Sequence, residues 1–243
     1  MKLEEYYDLQ SKSILSRLKK YPVEVVNKEG EVIPFVDWYV YGIPVAATQK
    51  HLEKYAAKLG ARLEYKVEKK VARIEFNHIK SPTLVNEVWA LGSYDGYKDQ
   101  FIRLMGIDLS SKTELKDKGF AIDHWLSKGQ IEESKSESIY LRLILADASK
   151  NASHGGSHER KAANYKEHPI QSTNDFEFMT PPQLLKAFEK RFSQAVLNQK
   201  RNKKEKEDIV KFLMKVLDVP RDFVEKHYLE HFYNYYYKNK WGE

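Results

Sequence analysis

The chain contains no cysteine. That excludes disulfides and thiolate-bound zinc, and it suits a reducing compartment. No apolar run approaches the ~20 residues needed to cross a bilayer. The opening stretch, MKLEEYYDLQSK, is acidic and lacks the apolar core of a secretory signal. The expectation is a cytoplasmic protein with no membrane partner. No segment repeats another. Strong charge of one sign is also missing: 41 Lys and Arg face 35 Asp and Glu, a net charge of +6. Such an excess is compatible with a polyanionic partner but does not demand one. The 243 residues, 42% hydrophobic and 31% charged, describe a folded globular chain of one large domain or two small ones. Aromatic side chains are plentiful at 13%, with 16 tyrosines, many of them among lysines. That mixture suits base stacking with phosphate contact, and equally a core of tyrosines with wet tips.

Hydrophobic spacing predicts a helix over residues 3–20, with Leu3, Tyr6, Leu9, Ile14 and Leu18 roughly on one face. The next stretch alternates and predicts a hairpin, Val23–Val26 against Val32–Val40, turning at Gly30. Thr48 is placed to cap a helix that stops at Gly60. RLEYKVEKKVARIEFNHI reads as two strands turning near Glu68–Lys70. Pro82 reads as the start of a helix over TLVNEVWAL, and YKDQFIRLMG as a second helix. SKTELKDKG and IEESKSES read as loops, IYLRLILA as a strand, and the segment after it as a short helix or a strand-to-helix turn. Thr180-Pro-Pro-Gln183 opens a helix carrying Leu184, Phe188, Phe192 and Val196. KRNKKEKED interrupts it, and two further helices follow, around Ile209–Leu217 and from Asp222. The expected fold class is α+β. It comprises a mixed N-terminal unit (1–110), a small core (111–170) and a helical C-terminal subdomain (171–243).

GFAIDHWLSKGQ, residues 119–130, sets an Asp–His pair behind an apolar run. Phosphodiester cleavage needs an activated water, a counter-charge for the phosphate and help for the leaving oxygen. A neutral histidine can take the proton from water, because its ordinary pKa is about 6.5. A hard divalent cation held by Asp or Asn oxygens supplies the charge, and Mg²⁺ keeps most of its waters, so one or two protein ligands suffice. Asp123 and Asn151 are the candidate ligands and His124 the candidate base. Neighbours in a strand point to opposite faces, so the pair can serve one site only where the strand ends or bends. The bland alternative is a surface turn.

Asp123-His124-Trp125-Leu126-Ser127-Lys128-Gly129, then Ser138-Ile139 and a strand, then Ser149-Lys150-Asn151 and His154-Gly155, resembles the HNH (ββα-metal) nucleases. The resemblance covers residues 119–160. It implies a ββα-metal core and Mg²⁺ or Mn²⁺ held by Asp123 and Asn151. It also implies His124 as general base, and His154 near the phosphate or metal. The family's Asn early in the second strand, which orients the base, falls here at Tyr140 or Leu141. The Cys pairs that bind structural zinc in many relatives are absent. What the resemblance implies is a DNA endonuclease, restriction-like, phage-like or a toxin, acting on double-stranded DNA as a monomer or homodimer.

Lys128 and Lys150 flank the cluster, and Lys200, Arg201, Lys203, Lys204 and Lys206 form a basic run. These are the candidate phosphate contacts. His158, His168 and Glu159 read as surface groups and His78 as structural. His227 and His231, four apart, read as a polar helix face. The tail HYLEHFYNYYYKNKW suits packing or stacking. Two rival classes remain: a non-catalytic nucleic-acid-binding accessory protein using the basic run and tail, and a protein-interaction adaptor.

Overall fold

A computed structural model of the chain describes residues 1–16, 18–26, 32–40, 45–77, 84–109, 112–131, 137–155, 181–188 and 203–230. The fold is a mixed α+β arrangement in which every pairing among the described strands is antiparallel. Helix α1 (Leu3–Ser16) buries Leu3, Tyr6 and Ile14, as its spacing requires. It stops four residues short of the expected end, because Leu18 already belongs to a strand. That strand, β1 (Leu18–Val26), pairs with β2 (Val32–Val40), with Val26 opposite Val32. The hairpin is the expected one; the Gly30 turn lies outside the described residues.

The short strand β3 (Val45–Ala46) leads into α2 (Gln49–Lys58). Thr48 caps α2 by accepting the N–H of His51, and Gly60 leaves it at φ +60°. Strands β4 (Arg62–Lys66) and β5 (Val71–Asn77) form a hairpin. Its turn places Val67, Glu68 and Lys69 at positive φ. The stretch expected as a helix after Pro82 is instead β6 (Leu84–Leu91), paired along β5. Helix α3 (Tyr97–Met105) ends on Gly106, whose φ of +59° is the left-handed conformation glycine tolerates best. The polar stretch expected as a loop contains α4 (Lys112–Asp117), anchored by one buried apolar residue, Leu115.

Strand β7 (Phe120–His124) and strand β8 (Tyr140–Asp147) then pair antiparallel, and helix α5 (Ala148–His154) follows directly. β8 pairs with three strands, β3, β6 and β7, and so joins the six-stranded sheet of β3 to β8, apart from the two-stranded β1–β2. Its first residues lie between β3 and β6, with Leu141 opposite both Val45 and Ala90. Its remainder, from Leu143, is paired with β7. Two polar devices hold β8 in place. Glu87 of β6 is buried and ion-paired with buried Arg142 at 3.2 Å, and it also accepts from Tyr55 Oη and Trp89 Nε1. Farther along, where β6 no longer pairs, the buried Gln10 side chain bonds both the N–H and the C=O of Leu145 at 2.9 Å. An amide side chain thus replaces a strand partner.

Among the described residues three more helices follow: α6 (Pro181–Lys186), α7 (Lys203–Leu217) and α8 (Phe223–Glu230), the last wound in the wider π form. Lys203 to Glu207, expected as part of an interruption, form the opening turns of α7. Leu184 and Leu185 from α6, and Ala187 just past its end, share a core with Trp125, Ile144 and the apolar face of α7. A second core joins α1, β7, β8 and α3 through Leu3, Ile122, Leu145 and Phe101. The expected positions Phe192 and Val196 and the aromatic tail beyond residue 230 lie outside the described residues. No helix among the described residues is long and apolar enough to cross a membrane.

Candidate functional site

Asp123 and His124 are the last two residues of β7. The strand ends there, Trp125 and Leu126 turn inward to burial, and a single 3₁₀ turn covers Lys128–Gln130. Trp125 stays tied to β8 through its N–H, which donates to Arg142 O at 2.8 Å. At the other end of β8, Asp147 accepts the N–H of Lys150 at 2.8 Å and so caps α5. That cap launches α5 from the strand without a loop and carries Asn151 back over β7.

The strand geometry sends the two neighbouring side chains to opposite faces. Asp123 faces α5 and α6. One carboxylate oxygen, Oδ1, accepts the backbone N–H of His124 at 2.8 Å, and Oδ2 accepts from Lys186 Nζ at 3.0 Å. The Asn151 amide also donates to this carboxylate. Burial alone pushes the Asp123 carboxyl up. The charge and hydrogen bond of Lys186, the Asn151 bond and nearby His124 outweigh it, so the group is held below the ordinary carboxylate range. The carbonyl oxygen of the Asn151 side chain is buried with no hydrogen-bond partner.

His124 faces α3 with Ile122. Its ring packs on Tyr97 with centroids 4.3 Å apart, tilted by 43°. The residue is 3% exposed, and its Nε2 is buried with no hydrogen-bond partner. Burial pushes its pKa down to about 4; Asp123 opposes this, while Lys186, Lys128 and Lys98 add to it. The ring is therefore neutral near pH 7. Tyr97 is pushed up to about 12, first by burial and then by Asp123 and Asp95.

Of the residues singled out in the sequence, Asp123 and Asn151 meet, with His124 adjacent on the other face of the strand end. His154 closes α5, and its side chain lies outside the described residues. Lys128 is exposed and pairs with Asp95 at 3.1 Å, and Lys150 lies 4.0 Å from Asp147. Lys203 and Lys204 are exposed on the first turn of α7. Lys200, Arg201, His78, His158, Glu159 and His168 lie outside the described residues, as does the side chain of His227. Two participants escaped the sequence reading, Lys186 and Tyr97. Lys186 is 2% exposed and also donates to His124 O at 2.9 Å.

The donor chemistry fits a hard cation in part. A carboxylate and an unpartnered amide oxygen are the hard oxygen donors Mg²⁺ takes, and two such ligands suffice for an ion that keeps its waters. No cluster of three or more His, Asp or Glu suited to a metal occurs among the described residues. No family model, curated protein or solved structure matches the chain.

Proposed function

We propose that the protein is a divalent-metal-dependent DNA endonuclease of the HNH kind. The observation that carries this reading is the meeting of Asp123, at the end of one strand, with Asn151, on the helix that leaves the partner strand. The Asn151 oxygen there has no partner, and a neutral histidine, His124, follows on the other face of the same strand end. In this reading β7, β8 and α5 are the ββα-metal core. Asp123 and Asn151 Oδ1 would hold Mg²⁺ or Mn²⁺, which when bound supplies positive charge to the scissile phosphate and the departing 3′ oxygen. His124 Nε2 takes a proton from the attacking water as the new P–O bond forms and the P–O3′ bond breaks. Burial keeps the imidazole neutral at neutral pH, the state a general base needs. Lys128 and Lys150 flank the site and would contact phosphates, as would the basic run through Lys203 and Lys204.

A second reading is a nucleic-acid-binding accessory protein without catalysis. The near-complete burial of His124 and the exposure of Lys203 and Lys204 favour it. The two separate on incubation with plasmid DNA and Mg²⁺ or Mn²⁺, wild type beside His124→Ala. The nuclease reading expects metal-dependent nicking that falls by about 10²–10⁴-fold in the variant, with DNA affinity nearly unchanged. Folded protein that cuts DNA with neither metal, or a variant that cuts like wild type, removes it.

A further inference from the structure

The ammonium of Lys186 stands where the proposed ion would bind. It reaches Asp123 Oδ2 at 3.0 Å and His124 O at 2.9 Å, and the lysine is 2% exposed. The second carboxylate oxygen is engaged by the His124 N–H, and Asn151 donates to the same group. The Asp123 charge is thus met by an ammonium and most of its roughly four acceptor sites are taken, while Asn151 Oδ1 has no hydrogen-bond partner. A carboxylate paired with an internal cation offers little net attraction to a second cation. Like charges on the same oxygen also repel in a medium poorer than water at screening them. We propose that Lys186 is a tethered cation that occupies the divalent-ion position at Asp123 and must withdraw before the ion binds. The inference rests on the functional reading above and names what regulates that site.

Helix α6 is built for such a role. Leu184, Leu185 and Ala187 are buried in the core that contains Trp125 and the apolar face of α7, so the helix is fixed by its apolar residues. The Lys186 stem is long and unbranched, so in this proposal its head swings away from Asp123 while the apolar neighbours stay seated. The Asp123 side chain is 25% exposed, which leaves a path by which an ion can approach the carboxylate. A lysine held only for structure would be indifferent to divalent ions. A tethered cation competes with them for one carboxylate.

The test is a Mn²⁺ titration followed by electron paramagnetic resonance on the full chain, with wild type, Lys186→Met and the double variant Lys186→Met/Asp123→Asn. In parallel, acylation of Lys186 by a water-soluble ester is followed in the wild type by mass spectrometry, with and without Mn²⁺. The expected result is at least tenfold tighter Mn²⁺ binding by Lys186→Met, abolished in the double variant. Lys186 acylation in the wild type should rise as Mn²⁺ saturates. Equal, Asp123-dependent binding by wild type and Lys186→Met, with Lys186 unlabelled throughout, overturns the inference and leaves the metal site standing. Absence of Mn²⁺ binding in both overturns the inference and the metal site together. If Lys186→Met does not fold, the wild-type labelling decides alone: a metal-dependent rise supports the tethered cation, and no change overturns it.

Discussion

The fold holds His124 neutral, and that makes stability depend on pH in a definite direction. The imidazole is 3% exposed on the Tyr97 ring, and burial pushes its pKa from the ordinary 6.5 to about 4. In the unfolded chain the ring titrates near its ordinary value. Between the two values the unfolded chain holds a proton that the folded chain does not, so stability rises with pH across that window. The contribution is whole above pH 6.5 and is lost as pH falls toward 4. At 1.36 kcal/mol per pKa unit the full loss is roughly 3 kcal/mol, and about 2 kcal/mol of it falls between pH 7 and pH 5. Against a total stability of about 5–15 kcal/mol this is measurable. Asp123, whose carboxyl is held low, adds a loss of the same sign only below the ordinary carboxylate range. Urea unfolding at pH 7 and pH 5 for wild type and His124→Gln isolates the histidine from the other titrating groups. The wild type should lose about 2 kcal/mol more than the variant. Equal losses, or an imidazole NMR titration centred near 6.5, refute the reasoning.

Two further outcomes test the supports of β8. Glu87→Ala leaves the buried Arg142 charge uncompensated and should destabilise by about 3–5 kcal/mol in urea unfolding; a loss under ~1 kcal/mol would mean the pair is hydrated. Gln10→Leu strips both backbone groups of Leu145 and should cost roughly 2–4 kcal/mol, with faster hydrogen exchange at the Leu145 amide; unchanged exchange contradicts the bridging role.

The parts of the fold that could be read in advance are those whose cause is local. The β1–β2 hairpin, the Thr48 cap, the Gly60 stop and the strand-to-helix passage at Asp147 each follow from residues within one turn of the feature. β6 was misread for an identifiable reason. Its buried residues Val85, Val88 and Trp89 fall at i, i+3 and i+4, the spacing of a helix. Glu87 breaks the alternation of a strand by pointing inward to Arg142 of β8, a partner 55 positions later in the chain. α4 offered no period because one apolar residue, Leu115, anchors it; the Glu114–Lys118 ion pair is the rest of its signal. The opening turns of α7 looked like an interruption because they are charged. In the structure Glu207 takes Arg221 and Lys211, so the charges belong to an ordered helix face.

The site divides along the same line. Asp123 and Asn151 were legible because both sit at element boundaries that local sequence specifies, and a strand pair followed at once by a helix returns one boundary to the other. Lys186 was not legible, because PPQLLKAF reads as an apolar helix with its stripe on Leu184 and Phe188, and the lysine falls off that stripe. Lys186 lies between buried Leu185 and buried Ala187, and a buried lysine needs an anion beside it. Helix α6 seats Leu184 and Leu185 beside Trp125 and meets the buried ammonium of Lys186 with the Asp123 carboxylate at the end of β7. The chemistry of the site and the packing of the C-terminal helices therefore share one carboxylate. A substitution at Asp123 should be felt twice, once in any metal-dependent activity and once in the docking of α6.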